Sequence, residues 1–230
     1  IELAPYGVFA LLTKLFATMG IGTIFDLAAY FFTLLGVLIF HGLVVYPGLL
    51  RTLTALNPAI LLNKMRRVWA FAFSTASSGA TLPITLRTVE KRLGVSKSIS
   101  SFVVPLGATI NMDGTAIMQG VATVFIAQAY NIDIGMGGYL MVILTATMAS
   151  IGTAGVPGVG LITLALVLSQ VGLPVEGIAL IIGVDRLLDM MRTATNVTGD
   201  AMVTSVVAKT EGYMDTDIFN DPEAGVIRQV

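Results

Sequence analysis

Six polar residues near the end of the chain, Asp185, Asp189, Arg192, Thr193, Asn196 and Asp200, fall on one face of a helix. At 3.6 residues per turn they occupy an arc of about 100°, in a stripe about 22 Å long. The other faces carry Leu187, Leu188, Met190, Met191, Ala194 and Val197, and Arg186 lies at the edge of the stripe. Arginine is a permanently charged planar fork that grips a carboxylate in a bidentate way. Asp189 could hold a cationic group, such as an amine, on the same ligand. Carboxylates and carbonyls are the oxygen donors that hard cations favour.

Such a stripe cannot face lipid. Insertion scales charge about 2.5–3.5 kcal/mol for each Asp or Arg at a helix centre, against about −0.3 to −0.6 kcal/mol for each Leu, Ile or Val. The stripe must therefore meet protein, water, ions or a ligand, and an intramembrane ionisable residue is a functional hypothesis by default. A purely structural ion pair between Asp189 and Arg192, at i,i+3, is the plain alternative. It leaves Asp113 and Asp200 without cationic partners in a region nearly free of lysine, so bound cations fit better.

The elements that position the stripe read as membrane helices. The chain has 230 residues, 55% apolar and 12% charged, with net charge −1, and a mean hydropathy of +0.87. Soluble domains carry about 25% charged residues. No basic, aromatic-interleaved patch is present, which argues against nucleic acid as a partner. Cysteine is absent, which removes disulfide and thiolate chemistry. The first residue, Ile1, already lies in an apolar run, and the expectation is a piece of a longer membrane protein.

Apolar stretches over 3–19 and 24–50 are each long enough to cross a hydrocarbon core about 30 Å thick. Between Phe102 and Val184 the charged residues are Asp113, Asp133 and Glu176 alone. The apolar runs there are short and interrupted, by "SSGATLP" (77–83), "NMDGT" (111–115) and "TAGVPGVG" (153–160). Irregular backbone survives at membrane depth only where protein or a wet cavity covers it. Paired interrupted segments are the best sequence pointer to a transporter's binding site. The breaks also recur as two units, each a re-entrant hairpin followed by a spanning helix. Breaks at 111–115 and 150–155 would free carbonyls for cations. Half-helix N-termini after "SSGATLP" and "GVPGVG" add positive dipole ends for an anionic group. Arginine, aspartate and these N-termini together describe a site for an amino acid with an extra carboxylate.

Eight of the 13 Lys and Arg residues lie between Arg51 and Lys97. The positive-inside rule places both ends of the first hairpin in the cytoplasm. The expected organisation is a helix over 24–50, a hairpin over 60–92, a helix over 98–130, a hairpin over 138–172 and a helix over 176–210. Residues 211–230 read as a mobile cytoplasmic tail. The fold class is an all-α membrane protein, with two re-entrant helical hairpins and discontinuous transmembrane helices in an inverted repeat.

Four segments, "SSGATLPIT", "GATINMDGTA", "ASIGTAGVPG" and "RTATNVTGDAMV", resemble the signature segments of the dicarboxylate/amino acid:cation symporters, the glutamate/aspartate transporter family of prokaryotic type. The resemblance runs from "APYGVFALL" to "VAKTEG". It implies a homotrimer in the full-length protein, in a multi-pass arrangement in a prokaryotic plasma or inner membrane. Residues 1–20 would be part of a fifth transmembrane helix in the scaffold, and 21–210 would form a transport domain. It implies a substrate site lined by Ser77, Ser78, Thr115, Val156, Pro157, Gly158 and Gly160. Arg192 would take the side-chain carboxylate and Asp189 the amino group, with Thr193 and Asn196 completing the site. The co-transported ion implied is Na+. One sodium would sit among Gly107, Asn111 and Asn196 carbonyls and the Asp200 carboxylate. A second would use carbonyls of Thr109, Ser150, Ile151 and Thr153. A third would use Asn111 and Asp113, with partners outside this chain.

The resemblance implies sodium-coupled uptake of L-aspartate or L-glutamate by an elevator-type alternating-access movement, with no enzyme chemistry. Arg192 favours an acidic substrate, because neutral amino acid members lack arginine there. Gln119 stands where many animal members place a glutamate linked to proton coupling. Ala76 stands where the family often has serine or arginine. A C4-dicarboxylate symporter is the alternative within the family, although such a substrate has no amine for Asp189. An anion channel lacks a ring-forming filter here. An intramembrane enzyme would need Asp185 and Asp189 to act as a dyad, and one turn apart on one helix they lack the opposed geometry. His41 reads as a packing or helix-end histidine, Trp69 as an interface anchor, the eleven methionines as adaptable packing, and "GMGG" (135–138) as a turn.

Overall fold

The long apolar stretch after residue 21 forms a helix because its leucines, valines and phenylalanines carry no competing polar side chain. The computed structural model describes Thr13 and residues 22–225. Apart from Thr13, the expected first helix and the scaffold assignment of 1–20 lie outside the described residues. Helix α1 (Gly22–Phe40) passes through a five-residue π-helical turn (His41–Val45) into α2 (Tyr46–Thr54). Together they make Phe25–Thr54, the one described helix long and apolar enough to cross a membrane. Phe25, Phe32, Phe40 and Leu43 stand exposed along it.

α2 stops at Ala55, which adopts a left-handed conformation. Asn57 then caps α3 (Pro58–Thr75) by accepting from the Ala59 amide, and Pro58 supplies the preset first φ angle. Ala76, also left-handed, ends α3. Ser77 caps α4 (Ser78–Lys91) through its hydroxyl, which accepts from the Ala80 amide at 3.1 Å. Only Ala76 and Ser77 link the two helices, so α3 and α4 fold back as a pair.

α5 (Lys97–Ile110) and α6 (Asp113–Ala129) are separated by Asn111 and Met112, both outside helical geometry. α7 (Gly135–Ser150) and α8 (Val159–Gln170) form a second pair, joined by an irregular link over 151–158. A 3-10 turn (Val175–Gly177) leads into α9 (Ile178–Thr210), 33 unbroken residues. A short α10 (Thr216–Asn220) follows. No strand occurs among the described residues.

α9 is the central post, packed against every helix from α1 to α8 except α7. One apolar cluster joins α1 (Leu34, Leu38) to α6 (Met118, Ile126), α8 (Leu164, Leu168) and Leu188 of α9. A second joins α2 (Leu50), α3 (Met65, Val68), α4 (Val89) and α5 (Val104) to Val197 and Ala201. The outer surface stays apolar. Leu140, Ile143 and Met148 of α7 and Ile162 and Leu166 of α8 are exposed, forming the kind of contiguous patch that soluble monomers rarely carry.

Two expectations change. The Trp69 indole donates to Thr198 Oγ1 at 2.8 Å, tying α3 to α9 rather than sitting free as an anchor. Residues 211–225 are not a loose tail: Phe219 is fully buried in the second cluster.

Candidate functional site

The stripe on α9 is buried along its whole length. Arg192 is 1% exposed and Asp200 2%. Arg192 Nη2 lies 2.8 Å from Asp189 Oδ1 and 3.1 Å from Asp185 Oδ1. Arg192 Nη1 and Nε are buried with no partner. Nη2, which belongs to both bidentate edges of the guanidinium, is therefore held by its own helix, and the single donors Nη1 and Nε are left for an acceptor. Gly160 of α8 comes close enough that a Cβ there would sit 3.1 Å from Nη1.

Asp189 is fixed a second time. Its Oδ2 accepts from the Gly158 amide at 2.9 Å. Gly158 sits at the N-terminus of α8 with φ +76°, a conformation that L side chains rarely adopt. The positive end of α8 thus points at the carboxylate. The Thr193 hydroxyl donates to the Asp189 carbonyl at 2.9 Å. Asn196 Oδ1 accepts from the Gly114 amide at 2.7 Å, and its Nδ2 donates to Met112 Sδ at 3.2 Å. Asn196 therefore bridges α9 to the break between α5 and α6.

The two links between paired helices meet over this site. The Gly79 amide donates to the Gly155 carbonyl at 3.0 Å, and the Ser77 hydroxyl donates to the same oxygen at 2.5 Å. They close a polar cavity of about 20 Å³, room for about one water. Ser78, Thr115, Val156, Gly160, Asp189, Thr193 and Asn196 line it. Ser77 is spent on the tip-to-tip contact and the Ala80 cap. Pro157 is exposed. Arg192 reaches the cavity wall only through Asp189 and Gly160.

The residues expected around the first cation do converge. Asn111 Nδ2 donates to Asp200 Oδ1 at 3.1 Å and approaches the Asn196 carbonyl at 3.5 Å. Gly107 packs so tightly that a Cβ there would stand 2.6 Å from Asp200 Oδ1. Gly107, Asn111 and Asp200 share a cavity of about 200 Å³. Asp200 has no cationic partner within 4 Å among the described residues. At the second position, the Gly152 amide donates to the Thr109 carbonyl at 2.8 Å. That bond brings Thr109 beside Ser150, Ile151 and Thr153 and occupies its oxygen in this conformation.

Asp113 is the departure. Its Oδ2 accepts from the Tyr46 hydroxyl at 2.9 Å and lies 3.2 Å from His41 Nε2. His41 opens the π-helical turn and stacks edge-on against Tyr46, centroids 4.5 Å apart. The sequence reading gives His41 a packing role and Asp113, as an expected cation ligand, no cationic partner in the chain. Nothing in the residue pattern marks a π turn, so only the fold reveals this contact. Gln119 is likewise engaged, donating to Thr163 Oγ1 at 2.7 Å. Among the described residues no three His, Asp or Glu side chains converge.

Comparison with known proteins gives the family. A family model described as the sodium:dicarboxylate symporter family matches residues 1–210. An excitatory amino acid transporter of Caenorhabditis elegans is 45% identical over 206 residues, covering 89% of this chain and 41% of that protein. One from Onchocerca volvulus is 47% identical over 181 residues, covering 79% and 37%. Excitatory amino acid transporter 1 of Rattus norvegicus is 44% identical over 206 residues, covering 89% and 38%. The chain thus spans about two fifths of the length of these relatives. With the family model matched over almost its whole length, the chain belongs to the sodium:dicarboxylate symporter family.

Proposed function

We propose that this chain is the substrate-binding part of a secondary symporter that moves acidic amino acids with sodium ions. The observation that carries the reading is the buried Arg192 guanidinium, held on one side by Asp189 and Asp185 and unpartnered at Nη1 and Nε. Buried guanidinium donors without partners call for a carboxylate, gripped in a bidentate way through Nη2 with Nη1 or Nε. The relatives' name, excitatory amino acid transporter, favours an amino acid over a simple dicarboxylate. Asp189 would then release Arg192 to the incoming carboxylate and turn to the amine, with Thr193 and Asn196 beside it.

Sodium would occupy the cavity of Gly107, Asn111 and Asp200, with the Asn196 carbonyl beside it. A second ion would use the carbonyls of Thr109, Ser150, Ile151 and Thr153 once the Gly152 amide withdraws. Asn111 and Asp113 would serve a third, in exchange for His41 and Tyr46. In this reading the two helix pairs, α3/α4 and α7/α8, are re-entrant hairpins of an inverted repeat. The cavity beneath their tips has room for about one water, so a substrate enters only when the Gly155 contacts part. Alternating access of the elevator type follows if the bundle around α9 moves as a body. A multi-pass place in the plasma membrane and a homotrimer belong to the same proposal.

The enzyme alternative loses its footing, since Asp185 and Asp189 both engage the same Arg192 nitrogen. The test is substrate binding by the purified full-length protein, with sodium varied. Cation and substrate sites that share Asn196 should be coupled. L-Aspartate should bind at least about tenfold more tightly at saturating sodium than in its absence. Equal affinity in both would contradict the proposal.

A further inference from the structure

Lys64 stands outside the site described above, yet it is one of the most deeply buried charges in the molecule, 1% exposed. It lies in the second turn of α3, at the end of the α3/α4 pair away from the tip. No carboxylate lies within 4 Å of it among the described residues. Its ammonium instead donates to three backbone carbonyls: Arg92 at 2.6 Å, Phe219 at 2.7 Å and Ile218 at 2.8 Å. Arg92 is the C-terminal cap of α4, and Ile218 and Phe219 belong to α10. Carbonyls at helix C-termini lack intrahelical partners and carry partial negative charge. One lysine thus joins the ends of two helices separated by more than 120 residues.

The surrounding contacts reinforce the same junction. Arg92 Nη1 returns the bond to the Lys64 carbonyl at 3.2 Å. Its Nε and Nη2 donate to the Ala224 and Pro222 carbonyls at 3.3 and 3.4 Å. Val95 pairs with Met214 in an isolated bridge. The Asp215 amide donates to the Gly94 carbonyl at 2.7 Å, and the Ser96 amide to the Tyr213 carbonyl at 3.0 Å. Gly94 has φ +74°, and a Cβ there would collide with the Asp215 carbonyl. Phe219 fills the core below, its ring centroid 5.8 Å from Lys64 Nζ.

We propose that residues 211–225 form a clasp, pinned by Lys64, that shuts the base of the α3/α4 pair and so positions Ser77 and Ser78 at its tip. The positional half of this statement rests on the reading of Ser78 as substrate-lining. Lys64 is a positioning residue: it touches no substrate, and it acts through a helix pair that is two rigid rods with a two-residue turn. Opening the base changes the angle between the rods and shifts the tip that meets Gly155.

The energetics give the clasp a signature. A buried ammonium is tolerable only while its donors are satisfied. Removing the clasp opens the base and returns the Lys64 ammonium to water, which satisfies its donors. Replacing Lys64 with methionine in the clasped protein instead leaves three carbonyls short of a donor. Removing both leaves an apolar side chain at an exposed base. The two changes must therefore be non-additive.

The experiment uses the full-length protein in four forms: unaltered, Lys64→Met, ended after Gly212, and both changes together. Two quantities are read, protease cleavage at the 92–97 link and the KM of L-aspartate uptake with the maximal rate per folded protein. Ending the chain should raise cleavage and KM about tenfold, with the maximal rate held within about twofold; Lys64→Met alone should raise both in the same direction, and adding it to the shortened chain should change neither further by more than about twofold. Cleavage and KM unchanged on ending the chain, or effects that multiply in the double variant, would overturn the clasp. The cleavage arm needs no transport, so it judges the clasp even if L-aspartate proves not to be the substrate.

Discussion

Arg192→Ala removes sodium-dependent L-aspartate binding from the full-length protein. Nη1 and Nε are the unpartnered donors of the buried guanidinium, and they have no substitute among the described residues of the site. A bidentate grip uses Nη2 with Nη1 or Nε and forms once Asp189 lets go of Nη2; its two charge-assisted hydrogen bonds are worth about 1.5–3 kcal/mol each, so the dissociation constant should rise by about 10² to 10⁴. The same change strands Asp185 and Asp189, which both rest on Nη2. Breaking a buried pair by deleting one partner costs about 3–5 kcal/mol, so a lower thermal midpoint accompanies the loss. Arg192→Ala combined with Asp185→Asn separates the two effects. The second change removes a stranded charge and should recover part of the stability while binding stays lost. Recovery of binding in that double variant would mean that Arg192 serves structure alone.

Asp200→Asn acts on the other half of the account. Asp200 is buried with one hydrogen-bond donor from a side chain, Asn111 Nδ2. A carboxylate so placed costs several kcal/mol in the absence of a counter-charge. Asparagine keeps its size and removes the charge. In sodium-free buffer the variant should therefore unfold at a higher temperature than the unaltered protein. Sodium should then raise that temperature in the unaltered protein and much less in the variant. A tenfold loss of sodium affinity takes away about 1.4 kcal/mol of linked stabilisation at saturating sodium. Thermal scans of both proteins across a sodium series check this. Equal sodium shifts in the two would place the ion elsewhere.

The stripe was legible in the sequence because its signal is periodic: six polar residues at helical spacing in an apolar run have only one face to share. The breaks were legible because Asn111, Gly114, Gly155 and Pro157 interrupt runs that otherwise favour helix. The grouping of Gly107, Asn111 and Asp200, which line one cavity with Asn196 beside it, came instead from the family resemblance. What was not legible depends on contacts between distant backbone and side-chain atoms. The Lys64 ammonium finds carbonyls 28 and 154 residues away, and a carbonyl has no letter in the sequence. His41 reaches Asp113 only because a π turn rotates it there. Trp69 reads as an anchor by its neighbours Arg66 and Arg67, while its partner Thr198 lies across the bundle. The closed tips, joined through the Gly155 carbonyl, are again backbone chemistry.

The most direct measurement is uptake of radiolabelled L-aspartate into liposomes holding the full-length protein, with and without an inward sodium gradient, beside Arg192→Ala. Accumulation that requires the sodium gradient and vanishes in the variant is the predicted result. Accumulation driven by a proton gradient alone would contradict it by making the coupling ion a proton, and no accumulation of L-aspartate beside sodium-driven accumulation of succinate would contradict it by making the substrate a C4-dicarboxylate.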